Sequence, residues 1–350
     1  MSVNSERNLT IDLLRGLASI WIIFFHVRHA LPENTDFYSG KIWFENFIHY
    51  GHKSVNIFFM LSSYLLLKRF RIYQETLKNP IRSFYIKRFL RVLPLWWLAC
   101  LIYFFVERNA LGLESKHLFS SMTFIFGFFK EPAFNYTTVG WSLFVEESFY
   151  LFAPFLFLYV DKLWKAVLMV AVTYIVKFYW FKNCDPAFPN FCYGSPLANY
   201  NYFFLGITLF YFEHTFSLSK KLKEWLFCIG GLSFFLVHFP IPGREFLITG
   251  VFCSVVLGSA PGILLRNPLS SFMIQTGQYC YGIYLFHLMM LKGTNTFMNS
   301  ISNYIPFGFY LFYPLCVLLC FLVTFIAAKV SFDKVEAKIS HWGRKFTAGI

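Results

Sequence analysis

Apolar residues run along this chain in long blocks, and short polar segments rich in Lys and Arg separate them. A bilayer core takes roughly 20 mostly apolar residues per helix, fewer where the ends snorkel. On that scale the blocks predict spans at 13–30, 51–67, 92–106, 141–160, 163–181, 198–213, 225–239, 246–265, 273–292 and 309–329. The predicted fold is all-α, a polytopic membrane protein with about ten transmembrane helices. A shorter block, HLFSSMTFIFGFFK at 117–130, is a candidate eleventh span. The pattern has no internal repeat, no low-complexity linker and no separate polar stretch. The expectation is therefore one membrane domain over 1–350, with no appended soluble domain.

Charge decides between ten spans and eleven. With ten spans and a cytoplasmic N-terminus, the inner segments are 1–12, 68–91, 161–165, 214–224, 266–272 and 329–350. They hold 20 Lys and Arg. The outer segments hold six: Lys41, Arg108, Lys116, Lys130, Lys182 and Arg244. That bias is the positive-inside pattern. An eleventh span at 117–130 would turn the SKKLK stretch at 219–223 outward and weaken the bias. Residues 117–140 thus read as an outer re-entrant or interfacial segment, which protein or water must cover. Both termini are expected in the cytoplasm, and the protein in the cell (inner) membrane as a multi-pass chain. The loop 182–198 falls outside. Cys184 and Cys192 share it, either as a disulfide in an oxidising compartment or as two free thiols.

Composition agrees with lipid as the main solvent. Hydrophobic residues make up 57% of the 350, charged residues 14%, and mean hydropathy is +0.52. A soluble domain carries about a quarter charged residues. The net charge of +13 raises nucleic acid as a partner, but the cations lie between apolar runs, as topology signals do. No nucleic-acid role is expected. The eight Cys contain no CxxC pair and mostly sit inside apolar runs. Arg15 interrupts the first apolar stretch and no small-residue cleavage site follows, so that stretch reads as a retained span.

Ionisable groups inside spans are costly, and each is a functional candidate. Arg15 and His26 share the first span, eleven residues apart. Eleven residues are close to three helical turns, so both project from one face, roughly 16 Å apart along the axis. Asp12 stands one turn before Arg15 and can pair with it. In WSLFVEESFY, 141–150, Glu146 has Ser142 one turn before it and Tyr150 one turn after. It is the more plausible of Glu146 and Glu147 to face the bundle. YCYGIYLFH, 279–287, brings Tyr284 and His287 into another span. The segment 68–91 carries eight cations, Arg69, Arg71, Arg88 and Arg91 among them, against the single acid Glu75. Each has a plainer reading: snorkelling for Arg15, helix packing for His26 and His287, an interfacial carboxylate pair, and topology alone for the basic segment. Their sorting by depth favours chemistry. His26, Glu146 and His287 fall in the outer half, whereas Arg15 and the basic segment fall on the inner side.

At these residues the sequence resembles acyltransferase family 3, integral membrane O-acyltransferases. Asp12-Leu-Leu-Arg15-Gly16 through Phe25-His26 matches the family's Arg and His separated by ten residues. Phe58-Phe59-Met60-Leu61-Ser62-Ser63-Tyr64 matches its Phe-Phe…Ser-Gly-aromatic stretch, with Ser63 where Gly is usual. FYIKRFLRVLP at 84–94 matches the Arg-rich start of the third span, with Arg88, Arg91 and Pro94. WSLFVEESFY with Pro154, and YGIYLFH near the C-terminus, match two more motifs. The resemblance covers essentially the whole chain, in order. It implies a ten-span core with cytoplasmic termini. The SGNH-type esterase domain some members carry has no room here.

The resemblance also implies acyl-CoA, with acetyl-CoA the expected form, as co-substrate rather than tightly bound cofactor. The acceptor would be a hydroxyl of a cell-surface glycan or lipid-linked saccharide. No metal is expected. Acyl transfer to a hydroxyl needs a base for the acceptor proton and stabilisation of the oxyanion. His26 is the expected base or transient acyl carrier, and Glu146 is expected to orient it or position the sugar. Arg15, Arg69, Arg71, Arg88 and Arg91 are expected to bind the donor. Trp141, Ser142, Tyr150, Tyr284 and His287 are expected on the acceptor side. One rival is a transporter or flippase of a lipid-linked glycan, against which stands the lack of a repeat. The other is a non-enzymatic assembly factor. Thioester turnover by the purified protein separates the enzyme from both.

Overall fold

The computed structural model describes residues 8–30, 42–130, 136–239, 244–301 and 309–347. Arg7 and Lys41 of the charge count, and 131–135 of the predicted re-entrant segment, lie outside the described residues. Every regular element described is helical. In chain order they are α1 (Leu9–Ala30), α2 (Ile42–His49), a 3-10 turn (Tyr50–Lys53), α3 (Ser54–Thr76), α4 (Pro80–Leu111) and α5 (Ser115–Met122). A second 3-10 turn (Ile125–Phe128) precedes α6 (Gly140–Tyr159), α7 (Leu163–Asn183), α8 (Pro189–Tyr193), α9 (Pro196–Phe216) and α10 (Lys220–Leu236). Then come α11 (Arg244–Leu257), α12 (Gly262–Leu265), α13 (Pro268–Gln278), α14 (Cys280–Ile301) and α15 (Phe309–Ser331). A π-helical stretch, Phe332–Glu336, leads into α16 (Ala337–Thr347).

Among the described residues, five helical runs are long and apolar enough to cross a membrane: Leu9–Ala30, Pro80–Leu111, Gly140–Tyr159, Leu163–Asn183 and Phe312–Gly343. Each overlaps a span predicted from sequence. The other predicted spans also fall on helices, but length and hydropathy alone identify only these five as membrane-crossing. The run 117–130 is α5 and a 3-10 turn, both too short to cross. α7 presents Val167, Leu168, Val172, Ile175 and Phe178 outward, and almost none of its residues is buried. An exposed apolar surface of that extent is one that lipid, not water, covers. This is a membrane protein.

The chain divides into two compact units. The first spans Met1–Leu61 and Phe216–Ala328. Within it α1 lies against α13 at a paired glycine contact. A Cβ on Gly16 would strike the Met273 carbonyl, and one on Gly277 would strike the Asp12 carbonyl. Only hydrogen at both positions lets the backbones approach so closely, as small residues do in membrane helix pairs. Leu13, Ala260 and Ile274 pack beside this contact with Met273 and Leu265. The Ala260 amide donates to Thr10 Oγ1 at 2.9 Å, and Tyr313 donates to the Phe24 carbonyl at 2.9 Å.

The second unit spans Ser62–Thr215 and Lys329–Ile350. Its core is aromatic: Phe149 stacks on Phe203 at 4.2 Å between centroids, and Phe70, Phe84 and Phe157 meet around them. α5 is fixed by two indoles of α4, Trp96 donating to the Ser121 carbonyl at 3.0 Å and Trp97 to that of Met122 at 3.1 Å. Cys184 and Cys192 form a disulfide, which resolves the choice the sequence left open. Ser63, at the position where the family usually has Gly, is fully buried.

The glycine contact predicts an asymmetric response to substitution. Gly277→Ala should destabilise the protein by about 2–3 kcal/mol, because the obstacle is rigid backbone and not a side chain that can turn aside. Gly231→Ala, where a Cβ meets nothing within 4 Å, should be neutral or better. Thermal unfolding in detergent, followed by size-exclusion homogeneity, checks both.

Candidate active site

The two units hold separate polar constellations. In the first, α1 carries Arg15 and His26 on one face, as helical periodicity requires. Arg15 pairs with Asp12 at 4.0 Å across one turn, and both side chains are partly buried. His26 is half-buried. Its ring lies 5.0 Å from that of His287 on α14, tilted by 45°.

His287 is almost completely enclosed, at 1% exposure. Its Nδ1 meets the Tyr284 carbonyl at 2.8 Å and the Ile283 carbonyl at 3.2 Å. A carbonyl only accepts, so Nδ1 carries the hydrogen. A buried imidazolium without a counter-charge is unfavourable, so the ring is neutral and Nε2 holds a lone pair. Nε2 is buried and has no hydrogen-bond partner among the described residues. Cys320 donates to the His287 carbonyl at 3.8 Å, tying α15 to the same turn. The Tyr284 ring is 5.7 Å from that of His287.

Sequence reasoning missed the setting of His26. Phe25 packs against His29 at 4.1 Å and His52 at 5.3 Å, and His49 lies 5.5 Å from His52. With His287, five of the nine His thus gather around the end of α1 that carries His26. The signal was there: His49 and His52 flank the short approach to the second predicted span. His49, on α2, is held below the usual imidazole range chiefly by burial, with a further contribution from the charge of nearby Lys53. It is therefore neutral at pH 7. Lys53 is paired with Glu245 at 2.7 Å.

In the second unit, Glu146 Oε1 accepts from Ser62 at 2.6 Å and from Tyr150. The two hydroxyls are themselves 2.7 Å apart. The Arg88 guanidinium lies over the Tyr150 ring, 6.0 Å from its centre. Glu146 is thus tied to two helices, α3 and α6. Glu147 has a buried Oε1 with no partner among the described residues. Ser142 donates to the Val139 carbonyl at 3.3 Å, and Trp141 lies beside Gly194.

The candidate donor arginines differ in their surroundings. Arg69 is exposed. Arg71 donates to Tyr211 Oη at 2.5 Å, to the Phe157 carbonyl at 3.3 Å and to Gln74 at 3.1 Å. It thereby closes the last turn of α6, where carbonyls lack helical partners. Arg91 bonds Glu336 at 2.7 Å, with side chains 34% and 2% exposed. That pair ties α4 to the π-helical stretch, and Glu336 is a residue the sequence did not single out. Among the described residues no group of three or more His, Cys, Asp or Glu side chains is arranged to hold a metal.

A family model described as an acyltransferase domain, that of acyltransferase family 3, matches residues 8–329. A protein of Acidianus two-tailed virus bearing the name "Putative acetyltransferase ORF330" is 25% identical over 295 residues, covering 79% of this chain and 81% of its own. No solved structure matches.

The Arg91–Glu336 geometry predicts how the two residues depend on each other. Arg91→Ala leaves a buried carboxylate without its partner and should cost about 2–3 kcal/mol, less than a fully enclosed pair because Arg91 is partly exposed. Arg91→Ala with Glu336→Leu should regain most of that stability. If Arg91 also binds donor phosphates, the double variant will regain stability but keep a raised donor KM.

Proposed function

The chain belongs to acyltransferase family 3, and from that premise we propose that it moves an acetyl group from acyl-CoA to a hydroxyl of a cell-surface or lipid-linked glycan. The observation that carries the reading is His26. It is a half-buried imidazole on a membrane-crossing helix, on the same face as a membrane-embedded arginine, and a second buried imidazole backs it. An imidazole in such a setting is suited to take a hydroxyl proton. In the proposed step the acceptor oxygen attacks the thioester carbonyl carbon while its proton passes to His26. The C–S bond then breaks, and the leaving sulfur takes that proton as a thiol. His26 returns to its neutral form, and an ester replaces the thioester.

Donor phosphates would bind to cations on the cytoplasmic side. Arg15, Arg69 and Arg88 suit that task, since planar guanidinium groups match phosphate geometry. Arg71 and Arg91, with carbonyl and carboxylate partners, would act chiefly on the shape of the second unit. Glu146, held by Ser62 and Tyr150, would fix Tyr150 and Trp141 of α6 for the acceptor. The family model runs through both units, which supports treating them as one acyltransferase domain. The charge count supports cytoplasmic termini, and the Cys184–Cys192 disulfide supports an outer position for its loop. On this reading the acyl group crosses the membrane and the acceptor does not.

His26→Ala should lose at least about a hundredfold in turnover while remaining folded, the scale that positioned base catalysis contributes. Arg15→Ala should raise the donor KM more than the acceptor KM. In vesicles of known orientation, donor supplied on the cytoplasmic side should acylate acceptor confined to the other side. Transfer only when both substrates share the cytoplasmic side would refute the crossing.

A further inference from the structure

The orphaned nitrogen of His287 takes no part in the bond changes of acyl transfer. A buried acceptor left unmet is costly, and in a well-packed helical core it calls for an explanation. Here the tautomer is not free. Two backbone carbonyls hold the hydrogen on Nδ1, so the lone pair must sit on Nε2, on the far side of the ring. The neighbouring ring is that of His26, 5.0 Å away between centroids. A centroid separation of 5.0 Å leaves room for a His26 N–H to reach Nε2 if the half-buried His26 ring turns toward it. Catalytic hydrogen bonds are commonly long in substrate-free enzymes and tighten on binding.

We propose that His287 is the positioning residue for His26: its Nε2 accepts the second N–H of His26, presents the opposite nitrogen as a base, and steadies the imidazolium once the acceptor proton arrives. The inference rests on the reading of His26 as general base. It moves His287 from the acceptor side, where its place in the chain suggested it, to a position behind the base. Enclosure at 1% exposure agrees, because a residue so covered does not meet a sugar. The chemistry balances without a further reactant. His26 gains a proton from the hydroxyl and gives it to the sulfur, while His287 keeps its own Nδ1 hydrogen throughout. His287 does not become charged. Two adjacent imidazoliums would repel, and the carbonyls at Nδ1 already fix the neutral tautomer.

Among the described residues, the titratable groups near the pair are His29 on α1, His52 in the 3-10 turn and Tyr284 on α14, with Cys320 of α15 on the His287 carbonyl. A neutral acceptor stabilises the protonated form of His26, so its removal should make His26 less basic. The sign follows: the acidic limb of kcat/KM against pH should move to lower pH when His287 loses its acceptor.

The test compares wild type with His287→Phe, His287→Leu, His287→Gln and His26→Ala, each checked for a single thermal transition in detergent. For a folded apolar variant we expect kcat to fall about a hundredfold, at the lower end of acid–base effects, with both KM values within a factor of three and the acidic limb displaced downward. His287→Gln retains an acceptor oxygen and should recover part of the rate, with its limb between the two. A wild-type rate and limb in the apolar variants, with His26→Ala inactive, would leave His26 as base and overturn the role of His287. Wild-type turnover by His26→Ala would instead overturn the base itself. If neither apolar variant folds, the limb of His287→Gln decides, and a wild-type position overturns the proposal.

Discussion

Hydrocarbon offers no hydrogen-bond partners, so every polar group carried into it must be met from within the protein. That requirement runs through the described structure. Indole and phenol groups reach backbone carbonyls on other elements: Trp21 to Phe47, Trp180 to Cys192, Tyr313 to Phe24. Imidazoles turn Nδ1 back to their own helices, as His214, His238 and His287 do. Each such bond fixes a tautomer and leaves Nε2 as the chemically available nitrogen. The Nε2 atoms of His238 and His287 are both buried and unmet among the described residues, and only that of His287 belongs to a ring beside His26.

Close helix approach supplies the second constraint. Between lipid-facing helices no hydrophobic driving force remains, and packing must do what burial from water does elsewhere. The reciprocal contact of Gly16 with Met273 and of Gly277 with Asp12 does this for α1. It also sets the rotation of α1, and with it the direction in which Asp12, Arg15 and His26 face. A glycine that looks like a motif residue of no chemistry therefore governs where the chemistry points.

Arginines show how one residue type divides into different tasks. Arg71 closes a helix end through the Phe157 carbonyl and Tyr211, and Arg91 neutralises the buried Glu336. Arg69 is exposed, and Arg88 lies over Tyr150 beside the Ser62–Glu146 cluster. A basic segment that looks uniform along the chain is thus part scaffold and part available surface. Charge density alone does not distinguish them, because an internal partner consumes a guanidinium as effectively as a ligand would.

Much was legible in the chain itself wherever the relation is local. Hydropathy marked the helices, and the 3.6-residue turn put Arg15 and His26 on one face and Asp12 within reach of Arg15. The same turn put Tyr150 beside Glu146. The motifs around Arg15, Glu146 and His287 carried the family. What the sequence could not state was which helix meets which: His26 with His287, Gly16 with Gly277, Arg91 with Glu336. Helices that are apolar on nearly every face give no stripe from which to read their rotation, and rotation decides which residues meet. Those pairings arise only when the helices pack, from small-residue contacts and buried polar groups whose partners lie far away along the chain.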